Sequence, residues 1–458
     1  MEKEAEVFGP RTISGFLSQV GAEESMTSDQ VVWSEQGRLH LSYIGKTQTT
    51  TTILIQGDID EAYYAAGGIS AATGSPAQAH GVRVNDTIII ANSVEVVKAV
   101  VTVVNGDTIT VAPYGATAIT NGTGTNGNKE TTIMVYGSEY GKGQSYNVEA
   151  GNATTDQRGG NEPTFKSFSN KPIIIKDYYE VSGSDASRIG WVEVASEEGQ
   201  SGYLWYLKAE ADTRARFTDY LEMAMIEGIT GLDSTAATGA DALISNNGDA
   251  IGTEGLFAAI ESRGNMTSGV TGVNAQTDLA EFDAILAEFD KQGAIEENMM
   301  FVNRATSLAI DDMLASMNSY GAGGTSFGVF DNSEDMALNL GFSGFRRGSY
   351  DFYKSDFRYL NDLATRGSIN AANSASAIRG VIVPAGTSTV YDQMLGKNMK
   401  RPFLHVRYRA SQTDDRRMKT WVTGSVGATT SALDAMSIHM LSERCLITQG
   451  ANNFMLMN

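Results

Sequence analysis

The chain has 458 residues, of which 41% are hydrophobic and 19% charged, and its formal net charge is -20. Length and composition are those of a globular protein with about two to four compact units, not of a disordered chain. The acidic balance argues against DNA or an anionic membrane as the main partner, because phosphate binding needs a basic surface, and leaves room for local basic patches.

The single cysteine, Cys445, excludes an internal disulfide framework and fits folding in a reducing compartment. Forty-nine glycines against seven prolines favour tight turns and long extended connections over a helical bundle. Residues 1–10 are acidic and lack the apolar core of a signal peptide. No apolar run approaches the roughly 18–20 residues of a membrane span. The expectation is a soluble protein made in a cytoplasm, with no membrane partner.

In chain order, residues 1–80 read as an arm of short strand-like pieces around Val31-Val-Trp33, Leu39 to Tyr43 and Ile53-Leu-Ile55. None is long enough to form a core alone, so the arm is expected to lie against something else. Residues 81–113 change character: β-branched runs break at Asn105-Gly106 and return at Ile109-Thr-Val111, a hairpin signal. A small β-barrel or meander is predicted there, with another strand at 131–136. Residues 137–164 are rich in glycine and asparagine, and 165–191 form a polar, extended segment.

A long amphipathic helix is predicted over 200–228, with Leu204, Leu207, Ala211, Ala215 or Phe217, Leu221 and Met225 near the 3.6-residue period. At 1.5 Å per residue it spans roughly 40 Å, and Gly228 supplies a stop. Mixed α/β structure follows. Helices are expected at 254–262, at 277–292 with Asp278 and Glu281 as a capping box, and at 305–317 after Asn303. Strands are expected at 299–302, 352–354, 380–383, 403–410, 437–448 and 454–457. No repeat at solenoid spacing is present.

Few residues offer chemistry. Gly122, Gly124 and Gly127 match the dinucleotide fingerprint by letters, but the next element is a strand and not the helix that fingerprint needs, so a loop is the reading. Four histidines (His40, His80, His405, His439) are too scattered for a local metal site. His439 and Cys445 share a face of one predicted strand without a third ligand, and packing is the expected role. Asp58, Asp60 and Glu61, and separately Asp331, Glu334 and Asp335, lack EF-hand spacing and read as solvated turns. No hydrolase, zinc-protease or P-loop motif occurs. No catalytic, cofactor or metal site is predicted, and an enzyme is not expected.

Residues 397–419 are the charge anomaly, with eight cations against Asp414 and Asp415. Phosphate contact and ion pairing with acidic surfaces of neighbouring copies both fit; the net charge favours pairing.

The order of an arm, an extended segment, a long helix and an α/β remainder closing on a long strand resembles the Hong Kong 97-like capsid fold. The chain is similar to major capsid proteins of tailed bacteriophages over nearly its whole length. Residues 28–38 (with Trp33, Glu35, Gly37 and Arg38), 165–183, and Ser442-Glu-Arg444 resemble the group that includes crAss-like phages. The resemblance implies an α+β fold in which 1–80 is the N-arm and 136–198 the extended E-loop. It makes 199–232 the spine helix and 233–458 the peripheral and axial domains, with 81–135 an added β-rich module.

It further implies self-assembly into hexamers and pentamers of an icosahedral shell. The shell would enclose double-stranded DNA without sequence-specific binding, alongside portal, scaffolding and auxiliary proteins, in a virion assembled in the host cytoplasm. Lys166, Lys171 and Lys176 offer no assignable cross-link partner. Phe165, Phe168, Tyr178, Tyr179 and Trp191 are the candidate aromatics set on a neighbour, with packing inside their own subunit as the alternative. Arg407, Arg409, Arg416 and Arg417 are the candidate interface cations. An auxiliary virion protein (decoration or tail-tube subunit) would share the Gly/Thr-rich β composition but leaves the long helix unexplained. A secreted surface-layer protein or adhesin should carry a signal sequence or β repeats.

Overall fold

Two kinds of hydrophobic pattern divide this chain, a period-2 β-branched region and a mixed region with helical stripes, and they fold as separate units. A computed structural model describes residues 16–17, 22–36, 41–58, 80–92, 95–115, 119, 129–143, 165–187, 194–195, 201–202, 205–231, 252–268, 275–292, 295–317, 344–372, 377–392, 397–427 and 429–458. The fold is mixed α+β with strand in excess. One unit is Ser34–Lys166; the other combines Met1–Trp33 with Ser167–Asn458.

Strands β1 (Ala22–Met26) and β2 (Val31–Gln36) carry the chain to the first of these units. There β3 (Ser42–Thr47), β4 (Thr52–Asp58), β5 (Asp86–Asn92), β6 (Val96–Asn105), β7 (Thr108–Pro113) and β8 (Lys129–Ser138) close a barrel in the order β3-β4-β7-β6-β5-β8. All pairings are antiparallel. Alternate side chains, among them Ile53, Ile55, Ile88, Ile90, Ile109 and Ile133, fill the interior. Closure removes every strand edge. Register breaks at Ile44/Gly45, Thr87/Ile88 and Val101/Val103 supply the bends that closure needs.

The barrel corrects the expected boundaries. Residues 41–58 are two of its staves, not arm, and the unit begins at Ser34 instead of 81. Without β3 and β4, strands β7 and β8 would be open edges. The hairpin also differs in detail. Asn105 pairs with Thr108, so Gly106 and Asp107 form the turn, and Gly106 takes a left-handed φ of +58°.

The other unit begins again with β9 (Phe165–Asn170), which pairs with β2, and β10 (Ile173–Ser182), followed by the short α1 (Gly183–Ala186) and the two-residue partners β11 (Val194–Ala195) and β12 (Ser201–Gly202). Helix α2 (Trp205–Glu227) and α3 (Leu256–Arg263) lead to β13 (Asn265–Thr267), α4 (Ala275–Gln292), β14 (Glu297–Val302) and α5 (Arg304–Met317). Then come β15 (Gly344–Arg347), β16 (Tyr350–Asp356), α6 (Arg358–Asn361), α7 (Arg366–Ala372), β17 (Gly380–Pro384) and the paired β18 (Thr387–Asp392) and β19 (Lys397–Pro402). The chain closes with β20 (Leu404–Arg409), β21 (Lys419–Gly424), β22 (Ala435–Thr448) and β23 (Met455–Met457).

Two sheets organise this unit. One has the order β1-β20-β22-β10, with β21 also on β22; the other runs β13-β23-β17-β14-β16-β15. Phe282, Ile285 and Phe289 of α4 and Ile310 of α5 pack on one face of the six-stranded sheet, against Met300, Phe352 and Ile382. A second core gathers Met225 and Ile226 of α2, Leu256 and Ile260 of α3, Phe301 and Val381 of the six-stranded sheet, and Val406 and Leu446 of the five-stranded one. Both sheets therefore share a core around the end of α2.

Asn303 caps α5 as expected, its Oδ1 accepting from the Thr306 amide at 2.8 Å. Helix α4 starts at Ala275, so Asp278 lies inside it and not at the N-cap position expected of it. In α2, Phe217, Leu221 and Met225 are buried as the period predicts, but Ala211 is exposed and Thr213 takes the inward position. The side chains of Leu204 and Leu207, the loop 122–127, and Asp60, Glu61, Asp331, Glu334 and Asp335 lie outside the described residues. The segment expected as a free E-loop is, over 173–182, a strand paired along its whole length with β22.

Candidate assembly surface

β22 is fourteen residues long and organises the five-stranded sheet. Along one edge it pairs with β10, from Ile173↔Arg444 to Ser182↔Ala435. Along the other it pairs first with β20 and then with β21, and β1 adds in parallel to β20. Directly opposed residues share a face. Met440 and Ile175 belong to the face covered by Phe217 and Leu221 of α2.

The opposite face has three zones. The first is apolar: Met26, Cys445 and Ile447 lie with Val31 and Trp33, and Phe168 packs against them. The second is ionic. Glu443, buried to 4% exposure, lies 3.2 Å from Arg409 Nη1, and Arg416 Nε is 2.7 Å from its other oxygen, an ion pair without hydrogen-bond alignment. The third is aromatic. Tyr178, His439 and Trp421 stand opposite one another on β10, β22 and β21. Their rings stack at 6.0 Å and 5.3 Å between centroids, and His439 Nε2 is 2.8 Å from Thr423 Oγ1.

The predicted interface cations find carboxylates within their own chain. Arg407 pairs with Glu24 at 3.3 Å, Arg409 also with Asp29, and Arg417 with Glu23 while lying over the Tyr408 ring. Within the chain, β1, the turn after it and Glu443 of β22 supply the acids. Arg444 beside them is held below the usual guanidinium range by burial, and it donates to the Arg417 carbonyl at 2.9 Å.

The predicted aromatics separate. Phe168 is an intramolecular anchor: its ring is 6.2 Å from Trp33, and the Arg263 guanidinium sits 4.7 Å over it. Arg263 is held in turn by Glu254 at 2.7 Å, whose carboxyl is raised by burial against the opposing pull of Arg263. Tyr179 is half-buried, and burial raises its hydroxyl. Tyr178 is 61% exposed. The side chains of Phe165 and Trp191 lie outside the described residues.

Two positions that sequence reasoning passed over hold this surface together. Asn170, at the turn between β9 and β10, donates to the carbonyls of Glu254 and Leu446 and accepts from the amides of Lys171 and Glu254. Glu222 of α2 accepts from the amide of Phe16 at 2.8 Å, seating the N-terminal segment. Nothing local in the sequence marks either, because their partners are remote.

Chemistry is sparse. Burial pushes the Cys445 thiol up to about 12, and its sulfur lies 3.9 Å from Met26 Sδ. Six residues of extended strand, roughly 20 Å, separate it from His439. No group of three or more His, Cys, Asp or Glu among the described residues is placed to hold a metal ion. No helix among them is long and apolar enough to cross a membrane.

No protein-family model and no curated protein matches the chain. Solved structures similar to it include a chain of Microbacterium phage Oxtober96, at 9% identity and a TM-score of 0.39, over 100% of this chain and 95% of that one. The asymmetric unit of the bacteriophage PhiM1 mature capsid is similar at 10% identity and a TM-score of 0.34, over 68% of this chain and 78% of that one. The Cyanophage Pam1 capsid asymmetric unit is similar at 12% identity and a TM-score of 0.35, over 70% and 82%. Likeness at this level does not carry a functional reading, which rests on the chain's own geometry.

Proposed function

We propose that this chain is the shell subunit of a tailed-phage capsid of Hong Kong 97-like type. The observation that carries the reading is the placement of α2. Its middle packs on the five-stranded sheet through Phe217 and Leu221, and its end enters the core shared with the six-stranded sheet through Met225 and Ile226. A single helix that braces two sheets, with a seated N-terminal segment at Glu222, is the frame expected of a spine helix. In this reading the five-stranded sheet with α2 is the peripheral domain, and the six-stranded sheet with α4 and α5 is the axial domain. The barrel is the added module, and 165–182 is the base of the E-loop, set into the sheet.

Copies of the chain would associate around five- and six-fold axes, where many weak contacts close into a ring and make loss of one subunit rare. Portal, scaffolding and auxiliary proteins are the further partners, and the crAss-like group is the narrower placement. The shell would enclose double-stranded DNA without sequence-specific binding, in keeping with a charge of -20 per subunit.

Electron microscopy of the purified chain across ionic strengths tests the proposal. Hexamers, pentamers or closed shells are expected. Fibres or tubes would point to a tail or surface-layer protein, and a persistent monomer, both purified and in the producing cell, would overturn the reading.

A further inference from the structure

β10 ends the five-stranded sheet, and no strand among the described residues pairs with its outer edge. It runs ten residues without a bulge in its register to β22 and contains no proline. Asp177 Oδ1 accepts from the Tyr178 amide at 2.9 Å, so that amide points away from β22. By the alternation of an antiparallel ladder, the backbone groups of Ile174, Lys176, Tyr178 and Glu180 then face outward. The side chains at these four positions are exposed, Tyr178 at 61% and Ile174 at 51%. A long, straight, unpaired edge is a template for another strand, and neither bulge nor proline protects this one.

The charges along the edge specify the strand that fits. We infer that β10 pairs antiparallel with β10 of a second copy across a two-fold axis at Tyr178, joining two five-stranded sheets into one. In that register each Lys176 opposes Glu180 of the other copy, twice per interface, and the two Tyr178 residues meet. Sliding one strand by two residues sets Lys176 against Tyr178 or Ser182 and leaves the charges unmatched. Sliding it by four sets Lys176 against Lys176, or Glu180 against Glu180, which is repulsive. Only the centred register satisfies both charges. It also runs the stack of Trp421, His439 and Tyr178 straight across the axis into the same three residues of the second copy. The contact is isologous, as a two-fold interface must be. Lys176 has no ion-pair partner among the described residues, while Glu180 accepts only from Ser437 Oγ at 3.0 Å.

The inference deepens the assembly reading and rests on it in supposing that copies of this chain associate. The test is cross-linking in the full chain. Cys445 is buried, so an engineered cysteine is the reactive one. Opposed residues of a paired ladder have Cα atoms about 5.5 Å apart, within disulfide reach, so Tyr178→Cys is expected to form a covalent dimer on mild oxidation. Lys176→Cys alone should not, because its two copies stand roughly 14 Å apart; mixed with Glu180→Cys chains it should. Lys176→Glu is expected to weaken self-association in sedimentation by about tenfold or more. The exchange Lys176→Glu with Glu180→Lys is expected to restore it.

Shells that form while Tyr178→Cys stays uncross-linked would overturn the pairing and leave the capsid reading standing. Cross-linked dimers that never grow larger would support the pairing and sink the shell. Monomers without a cross-link would remove both. Equal self-linking of Lys176→Cys, or failure of the charge exchange to restore association, would overturn the register.

Discussion

Asn170 donates from Nδ2 to the carbonyl of Leu446 at 2.7 Å, across 276 residues of chain. Its Oδ1 is meanwhile held by the amides of Lys171 and Glu254 at 2.8 and 2.9 Å. The side chain is 3% exposed; its amide nitrogen donates to the carbonyls of Glu254 and Leu446, and its oxygen also accepts from Thr253 Oγ1 at 3.2 Å. Asn170→Ala therefore strands buried amides and carbonyls and is expected to cost about 2–4 kcal/mol. Asn170→Asp is expected to be no better, since a carboxylate would face the carbonyls of Glu254 and Leu446. Urea unfolding of the two variants beside the parent measures this; a loss below about 1 kcal/mol for either would show that water substitutes for the amide.

The junction of α2 and α3 makes a second prediction. Gly255 donates to the Gly228 carbonyl at 2.8 Å, so close that a Cβ on Gly255 would stand 2.6 Å from the Gly228 nitrogen and 2.8 Å from the Ile226 carbonyl. Backbone on both sides cannot yield as a flexible side chain would. Gly255→Ala is expected to lower stability by more than about 2 kcal/mol through strain and lost packing. Gly106→Ala in the barrel meets open space and carries only the left-handed φ penalty, about 1–2 kcal/mol. Thermal unfolding of the pair would rank them; the reverse order would refute the close-approach argument.

How much of this is legible in the sequence follows from the reach of each signal. The strands β5 to β8 announce themselves through β-branched alternation, and α2 through Phe217, Leu221 and Met225, because those patterns are local. β3 and β4 look like arm pieces because only closure with β7 and β8, more than 50 residues onward, gives them a core. The same holds for β10. It reads as a polar, extended segment, because its partner β22 lies more than 250 residues onward and nothing local shows the pairing. The cationic segment is visible as composition, yet nothing near it reveals that Glu23, Glu24 and Asp29 are its acids. The aromatic row is invisible for the same reason, being built from three strands at one register.

His80 gives a pH prediction for the barrel. It is buried, its Nε2 is 2.9 Å from the Gly106 carbonyl, and burial holds its imidazole below the ordinary 6.5. The unfolded chain therefore takes up this proton at higher pH than the folded one. Stability from this group is complete above about pH 6.5 and declines as pH falls through the lower folded value. His80→Gln, which can still donate to Gly106, is expected to remove that slope while leaving the carboxylate-driven loss at lower pH. Barrel unfolding followed from pH 7.5 to 5 distinguishes the cases: an unchanged slope in His80→Gln would assign the titration elsewhere.

The ion pairs of β1 make the last prediction. Glu23, Glu24 and Asp29 meet Arg417, Arg407 and Arg409, all partly exposed, so each pair is worth no more than about 1 kcal/mol. β1 is only five residues long and pairs in parallel, on one side, with β20. Met26 anchors it in the apolar zone, and the Met26 carbonyl accepts from the Ala410 amide at 3.1 Å. Glu23→Gln, Glu24→Gln and Asp29→Asn together are expected to weaken its docking by about 1–2 kcal/mol. High salt should do the same to the parent by screening. Hydrogen exchange at residues 22–26 is the measurement, with β22 as the internal reference. Exchange should quicken at β1 by roughly fivefold to thirtyfold and stay unchanged at β22. If both strands loosen together, β1 is part of one cooperative sheet and not an electrostatically latched addition to it.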